Sequence, residues 1–477
     1  MKLSPLKTKK YIHDALKDEK LLAAVDKATQ TTLKKREDKK AQIPYWEDLR
    51  YRAHHIKKNV IENLDKYLEE FEKNCQKNGI HLHWALDAEE ARQIIHKLLR
   101  DKNAKTVVKS KSLTTEEFHL NDFLTKNGIE TLETDLGEYI VQLMDQIPSH
   151  LTAPALHLSR QEIGKIFHEK LGIEYTEDPT ELMTVARKKL REKFLAADVG
   201  ISGVNFAIAD SGAVCIVENE ANARLSVGVP KTHIAVMGIE KLLPGFEELG
   251  TFLKLLGPSA TGQKATVYVN IVGGPLFDKL KEGPEEMHIV LLDNGRSKIL
   301  ADPQLRETLF CIRCGACLNI CPIYQQVGGH AYGWVYMGPI GITLIPQFLG
   351  TKEGKYAPFV SSLCGACYEI CPLRINIPHH LLKLRNRVVD KGYSMKIERL
   401  GMNAWAFLAK RPLLYRFATW FPGKFQMLLP KGKAFPAPGY AKDRALGIFD
   451  KKGFRKRFLK MEKSNPHNKQ QIDKKNI

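Results

Sequence analysis

Seven of the nine cysteines lie between positions 311 and 371, and their spacing indicates metal chemistry. The first group follows the pattern C-x₂-C-x₂-C-x₃-C-P, with a proline directly after the last cysteine. Thiolates at this spacing are typical ligands of [4Fe–4S] clusters, and the fourth cysteine binds the other cluster of a pair. The small residues Gly315 and Ala316 would let the backbone approach the inorganic sulfides of such a cluster.

A second group, residues 361–372, repeats the first in register but has Ser361 where its first cysteine is expected. The crossed pattern of ligation then predicts two unequal ligand sets. Cluster 1 is expected at Cys311, Cys314, Cys317 and Cys371, and cluster 2 at Cys321, Cys364 and Cys367. Two [4Fe–4S] clusters are therefore expected. The second, with three thiolates, is also compatible with a [3Fe–4S] cluster, or with a [4Fe–4S] cluster whose last iron binds Ser361, water or a substrate.

The alternative is structural zinc, because paired CxxC motifs often bind Zn²⁺ with four ligands per site. Seven cysteines in two groups that both end in Cys-Pro do not divide into such sets. A reducing compartment would also disfavour disulfides. Iron–sulfur clusters are therefore the predicted cofactors, and neither a P-loop nor a dinucleotide fingerprint occurs in the sequence.

Outside the cysteine groups, several acidic residues follow predicted strands. Asp210, Glu218 and Glu220 lie in such loops, which often bind ligands in α/β folds. Glu218 and Glu220 are candidates for catalysis, but turn formation explains them equally well, so the catalytic residues remain unassigned. Cys215 lies in an apolar strand and is predicted to be buried and inert.

Alternating helical and strand-like segments between residues 65 and 297 predict an α/β domain with a largely buried sheet. Within it, residues 204–220 predict two strands around an Asp-Ser-Gly turn, and residues 265–274 predict a further buried strand. Thr114, with Glu117 three residues later, predicts the cap of a helix. The cysteine-rich region that follows is predicted to be helical or looped.

The net charge of +19 is concentrated at the two ends of the chain. Residues 1–60 carry 16 Lys or Arg and 8 Asp or Glu, and residues 401–477 carry 18 and 4. Basic ends on a nearly neutral body favour contact with a partner or a membrane surface over nucleic acid.

Four regions are expected: a basic helical arm (1–64), the α/β domain (65–297), the cysteine-rich domain (298–392) and a basic aromatic region with a disordered tail (393–477).

No apolar stretch in the sequence has the length of a signal peptide or a membrane span. The predicted location is the cytoplasm, with at most peripheral contact at the inner face of the membrane.

The segment that separates the two cysteine groups carries a family resemblance. Residues 336–339 and the apolar stretch after them resemble the α-helical ferredoxin domain of succinate dehydrogenase and heterodisulfide-reductase-type subunits. Nearly the whole chain resembles the lactate-utilization protein B family of iron–sulfur proteins. The matching stretches are residues 109–112, 133–138, 148–154, 209–222 and 329–341, together with both cysteine groups.

This resemblance implies a LUD domain over residues 65–297, an α/β fold like that of NagB/RpiA sugar-phosphate isomerases and CoA-transferases. An α-helical ferredoxin domain with two clusters would follow, and the family's second cluster also has three cysteines. The implied partners are a cysteine-rich heterodisulfide-reductase-like subunit, a LUD-only subunit and an electron acceptor. The implied activity of the complex is oxidation of L-lactate to pyruvate.

Three functional hypotheses follow. In the first, the chain is an electron-transfer subunit of the lactate-oxidising complex rather than a stand-alone enzyme. In the second, the LUD domain is itself the catalytic unit and the clusters accept electrons from it. The third hypothesis, a nucleic-acid-binding iron–sulfur protein that uses its basic ends, is disfavoured by the neutral body.

Overall fold

The computed structural model describes residues 3–275, 283–425, 457, 458, 460 and 461. The chain divides into two units, residues 1–393 and 394–477, and each is described by itself. The α-helices of the first unit are α1 (Thr8–Ala15), α2 (Glu19–Ala41), α3 (Trp46–Glu62), α4 (Leu64–Lys77), α5 (Ala88–Asp101), α6 (Leu113–Glu117), α7 (Leu120–Lys126), α8 (Leu136–Leu143), α9 (Arg160–Leu171), α10 (Pro179–Ala196), α11 (Asn222–Gly228), α12 (Phe246–Thr261), α13 (Arg296–Leu300), α14 (Ala316–Asn319), α15 (Tyr324–Val327), α16 (Gly338–Phe348), α17 (Ala366–Ile370) and α18 (Ile377–Asp390). Its strands are β1 (His81–Ala85), β2 (Thr106–Lys109), β3 (Glu130–Glu133), β4 (Val199–Gly203), β5 (Phe206–Ile208), β6 (Ala213–Glu218), β7 (Thr232–Gly238), β8 (Leu242–Leu243), β9 (Tyr268–Val272) and β10 (Glu286–Leu292). Short 3₁₀ helices occur at Pro5–Lys7, Ile239–Lys241, Arg306–Phe310, His330–Tyr332 and Ala357–Phe359.

Six parallel strands form the main sheet, in the order β1-β10-β7-β4-β2-β3. Both faces are covered, as an all-parallel sheet requires. On β10, Met287, Ile289 and Leu291 pack towards α4, while Val290 and Leu292 pack towards α5. The near-continuous apolar sequence of the central strands therefore reflects burial on both faces, and the predicted α/β architecture with a largely buried sheet is confirmed.

The order of the strands reverses between β2 and β4. From β2 the chain goes outwards to β3, whereas from β4 it passes to β7 and β10 on the other side. At such a point the loops that leave the carboxyl ends of the two strands diverge and leave a crevice, where α/β folds usually bind ligands. Lys109 ends β2 and Gly203 ends β4, so this crevice lies beside residues 110–112 and 204–205.

A second sheet of four strands has the order β8-β5-β6-β9. Its β5–β6 hairpin turns at Asp210-Ser211-Gly212, as predicted. The prediction that residues 265–274 form a buried strand was wrong in its burial, since Val267, Val269 and Ile271 are 61%, 39% and 50% exposed. The physical reason is position, because among the described strands β9 pairs with β6 alone and lies at the edge of the sheet.

The helix predicted to start at Thr114 is capped differently. Ser112 is the N-cap of α6, and its hydroxyl accepts a hydrogen bond from the backbone N–H of Thr115 at 3.3 Å. Thr114 lies inside the helix and is buried. Helix α6 is also short, and a second helix, α7, follows it.

The basic N-terminal segment packs onto the rest of the first unit. Helix α2 contacts α12 of the α/β domain and also α14 and α15, which follow the first cysteines. Val25, Trp46 and Ala53 are buried in a core that also contains most of the cysteines. The arm therefore bridges the α/β region and the cysteine-rich region.

The cysteine-rich region is helical and looped, as predicted, and no strand follows β10 among the described residues. Helix α16 occupies its centre, and its residues from Gly338 to Pro346 are all buried. An apolar helix of this kind must be enclosed by protein, which explains why an uncharged stretch separates the two cysteine groups.

The second unit contains α19 (Lys396–Ala409) and α20 (Pro412–Phe425) in its described part. Trp405, Phe407 and Phe417 are exposed on these helices. The predicted disordered tail lies outside the described residues apart from residues 457, 458, 460 and 461. Throughout the described ranges, no helix is long and apolar enough to cross a lipid bilayer.

Candidate metal centre and the adjoining cavity

Four cysteines, three of them close in sequence and one distant, line one small cavity in the first unit. Cys311, Cys314 and Cys317 contribute from the first group, and Cys371 comes from the second. The rest of the wall is apolar and is formed by Ile312, Ile340, Pro372, Leu373, Ile375 and Ile377, with the backbone of Gly315. The structure therefore collects one four-thiol set that includes the last cysteine of the chain.

The two cysteine groups share an unusual backbone geometry. Arg313 and Gly315 have φ angles of 60° and 78°, and Leu363 and Gly365, fifty positions later, have 57° and 89°. Left-handed backbone is rare for side chains such as arginine and leucine and costs about 1 kcal/mol or more. Short helices, α14 and α17, start at the next residue in each group. The same turn thus occurs twice, and Ser361 takes the place of Cys311 in the second copy.

Backbone N–H groups point at the sulfur atoms. The N–H of Arg313 donates to Sγ of Cys311 at 3.4 Å, and that of Tyr324 donates to Sγ of Cys321 at 3.5 Å. The N–H of Ile375 donates to Sγ of Cys371 at 3.5 Å. Such bonds stabilise thiolates that ligate a metal and tune the metal they bind.

The remaining three cysteines form a second group nearer the surface. Burial raises the pKa of Cys321, and the neighbouring Cys364 raises it further. Burial also raises the pKa of Cys367 to about 12, with contributions from Cys321 and Cys364. Cys364 itself is exposed. The hydroxyl of Ser361 accepts a hydrogen bond from the N–H of Leu363 at 3.1 Å.

The donor set fits an iron–sulfur group. Burial raises the pKa of Cys314 to about 12 and that of Cys371 to about 11, so these thiols need a positive partner before they ionise. Iron would supply that charge, and the N–H donors suit the sulfur atoms. Within residues 3–275 and 283–425, no three His, Cys, Asp or Glu side chains converge closely enough to hold a single metal ion.

Two arginines of the N-terminal segment hold the backbone beside Cys371. Nε and Nη2 of Arg50 donate to the carbonyl oxygen of Cys371 at 3.0 and 2.9 Å, and Nη2 also donates to that of Glu369 at 2.9 Å. Nη2 of Arg36 donates to the carbonyl oxygen of Ile370 at 3.1 Å. Both side chains are buried, so part of the basic character of the arm serves an internal purpose.

A buried network of charges joins the α/β domain to the cysteine-rich region. Nη2 of Arg296 lies 2.6 Å from Oε1 of Glu117, and its Nε lies 2.5 Å from Oε2 of Glu240. The hydroxyl of Tyr336 donates to Oε1 of Glu117 at 2.5 Å. The guanidinium of Arg313 lies 4.5 Å from the centre of the Tyr336 ring.

A larger cavity, of about 240 Å³, lies in the crevice between β2 and β4. Lys111, Glu218 and Glu220 line it, so two of the acidic residues singled out in the sequence meet there. Asp210 does not, because its hairpin turn packs on α4, where the amide of Asn78 donates to the carbonyl oxygen of Ser211 at 2.7 Å. Further wall residues come from both regions and include Ser110, Asp135, Thr152, Asn222, Lys241, Ile312, Arg313 and Tyr336.

Cys215 and two histidines of the first unit, His380 and His54, have ordinary surroundings. Cys215 is buried in β6, and burial raises its pKa to about 12, as expected for an inert thiol. Nε2 of His380 lies 2.6 Å from Oε2 of Glu307, and Nδ1 of His54 lies 2.8 Å from the carbonyl oxygen of Leu373. Neither histidine lines the cysteine cavity.

Comparison with known families places these features in a class. Residues 68–292 match the model of the LUD domain, residues 307–375 match that of the 4Fe-4S dicluster domain, and residues 383–458 match that of lactate utilisation protein B, C-terminal. The chain is therefore an iron–sulfur protein that joins a LUD domain to a 4Fe-4S dicluster domain. This confirms the predicted cofactor type and the order of the two domains.

Curated relatives define the family more narrowly. "Lactate utilization protein B" of Bacillus licheniformis is 42% identical over 442 residues, which is 92% of each chain. The protein of the same name from Shouchella clausii is 41% identical over 98% of this chain and 99% of its own, and that from Bacillus subtilis is 41% identical over 93% of each. The chain belongs to the lactate utilization protein B family. A solved duf162 family protein from Deinococcus radiodurans aligns with 48% of this chain and 98% of its own at 14% identity, with a TM-score of 0.28.

Proposed function

We propose that the chain is an electron-transfer subunit in the oxidation of L-lactate to pyruvate. The observation that carries this proposal is the group of seven cysteines, five of them buried, with four around one cavity and three beside them. When bound, an iron–sulfur cluster accepts and releases electrons singly at a potential set by its surroundings. The lactate role is inferred from the relatives, which are named lactate utilization protein B.

The proposed ligand sets follow the two cysteine groups. Cys311, Cys314, Cys317 and Cys371 would hold cluster 1, a [4Fe–4S] cluster, and Cys321, Cys364 and Cys367 would hold cluster 2. The thiols also raise one another's pKa, since Cys311 and Cys371 act on Cys314, and Cys364 acts on Cys321 and Cys367. Cys367 acts on Cys317 as well, so the two proposed sets adjoin.

The chain contributes burial, orientation and polarity. Apolar residues around the first set exclude water, which limits loss of metal and sulfide. Backbone N–H groups fix the direction of the sulfur atoms, and Arg50 fixes the peptide that carries Cys371. Cys364 is exposed, so the second set lies where an electron partner could approach closely.

The proposed partners are those implied by the family. They are a cysteine-rich subunit of the heterodisulfide-reductase type, a LUD-only subunit and an electron acceptor. The proposed location is the cytoplasm, with at most peripheral contact with the membrane. The likeness of the LUD domain to sugar-phosphate isomerases and CoA-transferases stays a prediction.

The decisive experiment is anaerobic purification of the full chain followed by iron and sulfide analysis and electron paramagnetic resonance (EPR). About eight irons and a signal that appears on reduction with dithionite would mean two [4Fe–4S] clusters. About seven irons and a signal in the oxidised state would mean that the second cluster is [3Fe–4S]. Zinc without iron would contradict the proposal.

A further inference from the structure

The cavity between β2 and β4 contains two cationic side chains whose nitrogen atoms make no hydrogen bond, although Arg313 forms a long ion pair with Glu240 and stacks on Tyr336. None of the three guanidinium nitrogens of Arg313 has a hydrogen-bond partner, and the side chain is nine-tenths buried. Its nearest carboxylate oxygen, Oε1 of Glu240, lies 3.7 Å from Nη2, beyond hydrogen-bond distance. The ammonium nitrogen of Lys111 is buried and likewise lacks a hydrogen-bond partner.

Buried cationic nitrogens without hydrogen bonds are costly and need an explanation. A carboxylate or a phosphate matches the forked guanidinium of an arginine, with a lysine as a second charge. We propose that this cavity binds the carboxylate of a short 2-hydroxy acid, held by Arg313 and Lys111. The inference rests on the proposed function and names the chemical class of ligand and the residues that would hold it.

Two carboxylates that also line the cavity favour a ligand with a single negative charge. Glu218 accepts hydrogen bonds from the backbone N–H groups of Ala223 and Arg224 at 2.6 and 2.8 Å, which hold it in place. Glu220 accepts one from the N–H of Leu136 at 3.1 Å. Carboxylates here can accept a hydrogen bond from a hydroxyl group, but they repel a phosphate or a second carboxylate.

The size of the cavity agrees with this class of ligand. About 240 Å³ is smaller than the several hundred Å³ of sites for drug-sized molecules, so a ligand of a few carbon atoms is expected. The walls combine polar groups with apolar side chains such as Leu151 and Ile216, which suit a short alkyl group.

The position of the cavity links it to the metal centre. Arg313 lies between Cys311 and Cys314 in sequence, and Ile312 lines both the ligand cavity and the four-cysteine cavity. A ligand held by Arg313 would therefore lie directly beside the first cysteine set. The LUD domain supplies one wall of this site and the cysteine motif supplies another, so neither region forms it alone.

The test is isothermal titration calorimetry on the anaerobically purified, iron-loaded full chain with L-lactate, pyruvate and inorganic phosphate. L-Lactate should bind to the wild type, and Lys111→Gln should weaken that binding about tenfold to a hundredfold, since a charged hydrogen-bond donor is lost. The control is Lys188→Gln on the exposed face of α10, which should leave the dissociation constant unchanged. The inference would be overturned if the chain bound phosphate in preference to L-lactate. It would also be overturned if Lys111→Gln and Lys188→Gln bound L-lactate with equal affinity.

A second measurement needs no variant. Pyruvate, which carries the same carboxylate, should change the EPR line shape of the dithionite-reduced wild type, because it would bind beside the first cysteine set. An unchanged spectrum at concentrations that saturate the calorimetric signal would place the ligand elsewhere and overturn the inference. An iron-loaded chain that binds neither acid would refute the site but leave the electron-transfer proposal intact, whereas a chain without iron would refute the latter.

Discussion

The hydroxyl of Tyr336 lies 2.5 Å from Oε1 of Glu117, although the two residues are 219 positions apart. Tyr336 belongs to the segment between the cysteine groups, and Glu117 ends α6 of the α/β domain. Arg296 completes the contact, with Nη1 and Nη2 lying 3.0 and 2.6 Å from the two oxygens of Glu117. All three side chains are buried, so the two regions share one polar interior.

Glu117→Ala should lower the free energy of unfolding by about 3–5 kcal/mol, because it leaves the buried Arg296 with one carboxylate partner instead of two. Tyr336→Phe should cost about 1 kcal/mol, since it removes one hydrogen bond. Anaerobic denaturation with urea measures both. Lys231→Ala, at a surface pair with Glu285 whose side chains are 79% and 66% exposed, is the control and should cost less than about 1 kcal/mol. Equal costs for Glu117→Ala and the control would contradict the role of the network.

Variants of single cysteines test the crossed ligand sets. Cys371→Ala should abolish the EPR signal of cluster 1 while cluster 2 persists, because Cys371 lines the cavity of the first group. Cys321→Ala should do the reverse. Cys215→Ala, in the buried strand β6, is the matched control and should keep the full iron content. If Cys371→Ala and Cys364→Ala instead removed the same EPR signal, the proposed sets would be wrong.

Arg50→Met should destabilise the peptide that carries Cys371. Methionine replaces the apolar stem of the arginine but not its donors to the carbonyl oxygens of Glu369 and Cys371. The free energy of unfolding should therefore fall by about 3 kcal/mol. Iron should also be lost faster in air, which absorbance and iron analysis over time will measure. Arg52→Met removes a pair with Glu247 whose side chains are 50% and 82% exposed, and it should change neither quantity appreciably.

Stability should fall in mild acid because His233 is held neutral. Burial, followed by the nearby His288, lowers the pKa of His233 to about 3, and its Nε2 lies 2.8 Å from the hydroxyl of Ser202. The unfolded chain binds a proton at this residue below about pH 6.5, whereas the folded chain does not until about pH 3. Its contribution is therefore fully present above pH 6.5 and is lost as the pH falls, by about 1.4 kcal/mol per pH unit.

Urea midpoints at pH 7 and pH 5 test this dependence. His233→Gln, which can still bond to Ser202, should reduce the loss of stability between the two pH values by about 2 kcal/mol. His13→Gln, at a side chain that is 68% exposed, should leave the loss unchanged. Identical losses in all three proteins would mean that the pKa of His233 does not differ between the folded and unfolded chains.

The cysteine chemistry and the α/β architecture could be predicted from the sequence because both depend on patterns within short stretches of the chain. The spacing of Cys311, Cys314 and Cys317 within seven residues indicates iron–sulfur ligation without knowledge of the fold. The apolar strands around the Asp-Ser-Gly turn indicate their hairpin for the same reason. Burial was harder to predict, since the composition of β9 does not reveal that it lies at the edge of its sheet.

Contacts between distant segments could not be predicted. Arg50 and Arg36 are two of many basic residues near the N-terminus, and nothing in their neighbourhood indicates that they reach carbonyl oxygens of the second cysteine group. Arg313 occupies a position that the C-x₂-C pattern leaves unspecified. Lys111 was noted only as part of residues 109–112, one of the stretches that carry the family resemblance. Their significance depends on the crevice between β2 and β4, which exists only once the sheet order is known.

The bond between Arg50 and Cys371 also constrains how the protein is made. It joins residues 321 positions apart, so nearly the whole first unit must leave the ribosome before helix α3 can take its final place. Helical proteins usually fold fast because their contacts are local, whereas this contact joins distant parts of the chain. Helix α3 lacks this contact until residue 371 is available, so assembly of the cysteine site should be a late event. Cells that make this protein should therefore need chaperone protection for its N-terminal helices until residue 371 has emerged.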